Sequence, residues 1–275
     1  METIGFIGAG LIGGGIAQLA IKGGYKVLLT NSRDPKSLDP IIKELGDNSR
    51  AGSFKDLITD DIKIIVLSVP LKAIPKIFET GEIKDKIILD TSNYYTFRDG
   101  QIKELDDRLL TTSEYVSQYI GESNKLVKVF NNIDAIHLRI SSTNDLSRQT
   151  ILPISSNDVD ARQLATDFIQ KIGFKVLDVG GLSNSWKFEP HTPFYLTPYI
   201  PKFPENLDHD DLKSAFQSYP SPSLTVEDGI ILLNSATRDG PVGGSIDTTP
   251  ELVLEVMIDW YKRAKRAKSN NSSVL

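Results

Sequence analysis

Residues 8–13 read Gly8-Ala9-Gly10-Leu11-Ile12-Gly13, a G-x-G-x-x-G series between the apolar run Thr3-Ile4-Gly5-Phe6-Ile7 and the amphipathic stretch Leu11–Lys22. Between a strand and a helix, each glycine has a physical task. Gly8 permits a tight turn, Gly10 lets backbone approach a pyrophosphate, and Gly13 lets the helix lie close to the strand. The unpaired N–H groups at the helix start then attract the phosphates. The expected fold is α/β, a Rossmann-type doubly wound, mostly parallel sheet.

The sequence on either side supports this. Short β-branched runs recur at Lys26–Thr30, Ile62–Val69, Ile87–Asp90, Leu126–Phe130, Ile151–Ile154 and Lys175–Val179. Several are continuously apolar, as strands buried on both faces should be. Val159–Ile172 carries a helical stripe and ends at Gly173, a suitable cap. Residues 1–185 thus read as a dinucleotide-binding Rossmann domain with additional αβ units. Residues 186–275 read as a C-terminal extension packed on the same domain. Its stretch 190–225 is rich in proline, which favours loops over helix or strand. A last helix is expected after Thr249, with Pro250 in its first position, and Ser269–Leu275 reads as a disordered tail.

The tip of the second strand bears on the cofactor. It reads Leu29-Thr30-Asn31-Ser32-Arg33-Asp34-Pro35-Lys36, with no acid where an NAD enzyme places one for the ribose hydroxyls. Asn31 and Ser32 offer neutral hydrogen bonds, Arg33 offers a guanidinium fork matched to a phosphate, and Lys36 adds charge. NADP(H) is the expected cofactor.

Composition narrows the remaining classes. Net charge is −5, so no basic field gathers nucleic acid or anionic lipid. The absence of cysteine excludes disulfides, thiolate metal sites and a Cys nucleophile. The three histidines, His137, His191 and His209, lack metal-ligand spacing, so no metal is expected. No apolar run approaches the ~20 residues of a membrane span. The N-terminus opens as a strand rather than a targeting peptide, and the expectation is a soluble, cytoplasmic protein with no membrane partner.

Together the glycine loop, Asn31-Ser32-Arg33, the run Asp90-Thr91-Ser92-Asn93-Tyr94-Tyr95 to Arg98-Asp99-Gly100, and Val127-Lys128-Val129-Phe130-Asn131-Asn132 resemble the deazaflavin-dependent NADP oxidoreductase family. Its relatives include bacterial dinucleotide-binding reductases and the cytosolic domain of membrane ferric reductases. Gly180-Gly181-Leu182-Ser183-Asn184-Ser185-Trp186 and Glu189-Pro190 echo the end of the bacterial members. The resemblance implies that Gly8, Ala9, Gly10, Leu11 and Ile12 hold the pyrophosphate and that Asn31, Ser32 and Arg33 hold the 2′-phosphate. It also implies that Ser68-Val69-Pro70 lies on the nicotinamide side, and that dimers are common. Thr91, Ser92, Asn93, Phe130 and Asn131 follow strand ends, so they are expected at the same crevice, where open parallel sheets bind ligands.

The function expected is hydride transfer between NADPH and a small redox substrate such as a deazaflavin or flavin. That chemistry asks of the protein mainly orientation and a dry cavity. Tyr94, Phe130, Asn131, Trp186 and His191 are the candidates for the substrate pocket. If the substrate were a small carbonyl compound, a proton donor is needed, and His191, Tyr94 and Tyr95 are available. The alternative from another class is a non-catalytic NADP(H)-binding sensor.

Overall fold

The computed structural model describes residues 1–31, 35–59, 61–79, 82–245, 247 and 249–270. Strands β1 (Thr3–Ile7), β2 (Lys26–Thr30), β3 (Ser49–Ala51), β4 (Ile64–Leu67), β5 (Ile87–Asp90) and β6 (Lys125–Lys128) form one sheet in the order β3-β2-β1-β4-β5-β6. Every pairing is parallel. The order reverses between β1 and β4, and that switch point opens a crevice beyond the strand C-termini. The glycine loop and Ser68-Val69-Pro70 flank it.

Helix α1 (Leu11–Lys22) returns the chain to β2, and α2 (Asp39–Leu45) and α3 (Ile74–Phe78) precede β3 and β5. Short helices α4 (Thr96–Asp99), α5 (Lys103–Asp106) and α6 (Thr112–Ser117) lead to β6, which α7 (Ala135–Ile140) follows. Alternate strand residues feed two apolar layers. Phe6, Leu29, Val66 and Leu89 join one, with Ile16 and Leu19 of α1; Ile7, Leu28, Ile65 and Ile88 join the other, with Leu71 and Ile74. Burial on both faces explains why these strands read as unbroken apolar runs.

A second parallel pair, β7 (Ile151–Ile154) and β8 (Lys175–Asp178), is spanned by α8 (Val159–Lys171). One antiparallel bridge, Lys128 to Ser155, joins it to the main sheet. Beyond β8, Phe188, Phe194 and Tyr199 enter the same apolar layer as Phe6.

Several boundaries depart from the sequence expectations. The edge strand β3 reads Ser49-Arg50-Ala51, too short and too polar to announce itself. The third expected strand shrinks to Ile64–Leu67, because Ser68 and Val69 already belong to the crevice loop. The 190–225 stretch is not all loop: Asp208 caps α9 (His209–Phe216) by accepting from the Asp211 N–H. Then follows α10 (Val226–Asn234), opened by a capping box of Thr225 and Asp228. The last helix, α11 (Glu251–Asn270), lays Val253 and Val256 against Ile136 and Phe216, while Glu255 meets His209 at 3.0 Å and Lys213 at 2.9 Å. Ser269 and Asn270, expected in a disordered tail, are helical; the rest of that tail lies outside the described residues.

Candidate functional site

The loop after β1 is built by close approach. Gly8 has φ +96°, and a Cβ there would lie 2.2 Å from the Ser68 carbonyl oxygen. A Cβ at Gly13 would lie 2.4 Å from the Gly8 carbonyl oxygen, so α1 can start where it does only with glycine. Gly10 differs: nothing lies within 4 Å of its would-be Cβ. Its bareness faces open space rather than protein. Gly10 is also the N-cap of α1, with no side-chain cap and no acid in the first turn, so the N–H groups of Leu11, Ile12 and Gly13 stay available to an anion. The tip of β2 fixes the turn, since the Gly8 N–H donates to the Thr30 carbonyl at 2.9 Å.

Over this loop lies a cleft of about 900 Å³. Its wall runs from Gly8, Ala9 and Gly10 through Asn31, Ser37, Leu38 and Ile41 to Phe54, with Ser68, Val69 and Pro70 opposite. Asn31 stands at the expected strand tip and donates to the Ser37 hydroxyl at 2.8 Å. Lys36 is exposed on the turn Pro35–Leu38, beside Ser37. Ser32 and Arg33, the expected 2′-phosphate ligands, lie outside the described residues. Phe54, Lys72, Lys76, Ile77, Glu82 and Ile83 also line the cleft and were missed by sequence reasoning. For Lys72 and Lys76 a signal existed, because the turn after β4 begins at the same crest as Pro70. For Phe54 there was none, since β3, which places it, is itself silent.

The crest of β5 and β6 is packed instead of open. The Thr91 N–H donates to the Leu67 carbonyl at 3.1 Å. Below it Lys128, fully buried, meets the Asp90 carboxylate at 3.0 Å and donates to the Ser92 carbonyl. A fully buried lysine needs such partners, and this pair holds the shape of the Thr91-Ser92-Asn93 turn. Asn93 donates to the Asn131 carbonyl at 2.6 Å, while the Asn131 amide reaches the Asn93 side chain at 3.1 Å and the Phe188 carbonyl at 2.9 Å.

Two substrate-pocket expectations are corrected here. Phe130 is fully buried in the apolar layer, at φ +62°, so its ring is core and does not face the crevice. Tyr94 is buried too. Its hydroxyl lies 2.9 Å from the Asp106 carboxylate and accepts from the Ile102 N–H, clamping the corner of α4 and α5. Burial and the neighbouring Asp106 carboxylate push its ionisation up to about 12. Both residues follow strand ends as expected, but their side chains turn inward. Asn131, likewise buried, fastens the extension.

The extension brings the other candidates together. Trp186 and His191 border one small cleft with Arg108, Arg238 and Gly243. The His191 Nε2 lies 2.7 Å from the Gly243 carbonyl. On the far side of His191, the Tyr95 and Tyr195 hydroxyls approach to 2.5 Å, and burial raises the ionisation of both. Among the described residues there is no cluster of metal ligands, and no helix is long and apolar enough to cross a membrane.

The glycine loop, the open cleft above it and the β5 crest turn all fall in the first third of the chain, and that third is where a family match lies. Residues 3–94 match the family of coenzyme F420-dependent NADP oxidoreductases. Those residues carry an NADP-binding unit on a Rossmann-type fold. Metalloreductase STEAP2 of Mus musculus and of Homo sapiens are 28% and 27% identical over 188 residues, 68% of this chain. The chain spans about a third of those relatives, 35% of their length. Among solved structures, a hypothetical protein of Sinorhizobium meliloti superposes with a TM-score of 0.62 at 28% identity, covering 71% of this chain and 93% of that one. A protein of Arthrobacter sp. FB24 described as an F420-dependent NADP reductase shares the fold, with a TM-score of 0.57 at 18% identity over 67% of this chain and 87% of that one.

Proposed function

We propose that this chain is an NADPH-dependent reductase that passes hydride to a small flavin-like or deazaflavin acceptor. The carrying observation is the cleft of about 900 Å³ set directly on Gly8, Ala9 and Gly10, with Val69 and Pro70 opposite. When bound, NADPH supplies the hydride. The chain's own groups seat its pyrophosphate on the α1 N-terminus and its adenosine along Asn31, Ser37 and Leu38, with Arg33 taking the 2′-phosphate. The acceptor then approaches from the β5 side, between Val69-Pro70 and the extension loop at Pro190. No acid–base group is required for hydride passing between two ring carriers.

Purified protein with NADPH and a panel of deazaflavin, flavins, quinones and ferric chelates tests the reading. NADPH oxidation that depends on one of these acceptors, with NADH far slower, is the expected result. One observation favours a second reading: Tyr94, Phe130 and Asn131 are buried, so the β5–β6 crest is largely closed. A non-catalytic NADP(H) sensor fits that closure. Tight NADPH binding with no turnover across the panel favours it over the reductase.

A further inference from the structure

We propose that a second, cationic cleft, between Arg108, Arg238 and the Trp186 ring, grips the phosphate group of an aromatic acceptor. This rests on the reductase reading and names the substrate class for it. The protein carries net charge −5, and several of its cations pair with acids, as Arg98 does with Asp99 and Lys213 with Glu255. Arg108 and Arg238 have no carboxylate within ion-pair distance among the described residues. Arg108 donates to the Gly240 carbonyl at 2.6 Å, which ties the α5 end to the extension. The half-buried Arg238 guanidinium stands 5.3 Å from the Trp186 ring centroid, within cation–π range.

One acid lines the cleft, Glu189, and its carboxylate is engaged elsewhere. One oxygen takes the Thr112 hydroxyl at 2.8 Å; the other takes the Thr112 N–H and the Ser185 hydroxyl, each at 3.2 Å. That turns its charge towards α6 and leaves the guanidinium forks to meet an oxyanion. The void measures about 60 Å³, room for one such group and too little for a ring system. The ring must sit outside, and the cleft's position says where. Gly243, on its wall, is so close to the Tyr94 ring that a Cβ there would lie 2.9 Å from Cδ1. Tyr94 adjoins Asn93 on the β5 turn, so a ligand anchored by phosphate in this cleft lies over the crest that adjoins the cofactor crevice.

Riboflavin and FMN differ by one phosphate and are the probes. With the protein loaded with NADP+, so that no turnover intervenes, FMN should bind about tenfold tighter than riboflavin. Arg238→Gln should remove most of that difference, and Arg108→Gln with Arg238→Gln all of it, with riboflavin affinity unchanged. Inorganic phosphate should displace FMN and leave riboflavin bound. Because Arg238→Gln leaves the Arg108–Gly240 contact intact, its melting temperature guards against a folding artefact. Equal affinity for the two flavins, no FMN binding, or an FMN preference that survives both substitutions overturns the proposal. None of these readings depends on NADPH oxidation, so failure here is distinguishable from failure of the reductase assignment.

Discussion

The two halves of one sheet edge are treated in opposite ways. Beyond β1 and β4 the crest is open: Gly8 and Gly13 let the loop fold tightly against Ser68, Gly10 is bare towards open space, and a cleft of about 900 Å³ lies above. Beyond β5 and β6 the crest is closed. Asn93, Asn131 and Asn132 turn their amides onto backbone carbonyls, including those of Phe188 and Phe194, and a void beyond Tyr95 measures about 100 Å³. Opening rests on a tightly folded loop and a bare Gly10. Closing needs amide groups that satisfy a buried backbone. A nucleotide fits the first half, and the second half admits only what the extension leaves uncovered.

The strongest test of that contrast is Gly10→Val. The new side chain enters open space, so the melting temperature should hold, while NADPH affinity drops about 1,000-fold, or about 4 kcal/mol; a fluorescence titration reads this. Should the variant unfold, or bind normally, the open half has been misread. On the closed half, Lys128→Met strands the Asp90 carboxylate in the core and should cost about 3 kcal/mol of stability by urea denaturation. A loss within error would mean that the buried pair contributes nothing to the turn. Arg33→Glu replaces attraction by repulsion and should weaken NADPH by about 2 kcal/mol while leaving NADH unchanged. Equal losses for both carriers would remove Arg33 from the 2′-phosphate. Tyr94→Phe is the mildest, about 1 kcal/mol, since it deletes the clamp on Asp106 and Ile102. Folding raises the Tyr94 ionisation from 10.0 to about 12, so its stabilisation is whole below pH 10.0 and fades as pH climbs towards about 12. The variant should lack that alkaline component in a pH series of thermal melts.

What the sequence disclosed follows the same division. The spacing of Gly8, Gly10 and Gly13 is a local signal, and so is the unbroken apolar run of Ile64–Leu67, so the sheet and its open crest could be read directly. Position along the chain also put Thr91, Asn93 and Phe130 at strand ends. It could not tell which way each side chain turns, since that depends on residues 188–196 folding back over them. The same long-range contact hid the role of Asn131. Helix α9 escaped notice because the prolines around it outweighed one capped stretch of eight residues. Lys128 was visible as a charge within a strand, yet its partner Asp90 lies 38 residues earlier, beyond any local pattern.

The single bridge from Lys128 to Ser155 has a mechanical consequence. A hydrogen-bonded ladder transmits stiffness, and between the six-stranded sheet and the β7–β8 pair that ladder narrows to two backbone bonds, of 2.9 Å and 3.2 Å. A tilt of the smaller pair loads this seam, the Thr143–Gly173 backbone bond and the α8 face, where the Phe168 and Tyr25 ring centroids lie 5.5 Å apart. Gly23 and Tyr25 follow α1, whose N-terminus carries the glycine loop, so such a tilt is felt along that helix as well as at the β6 edge.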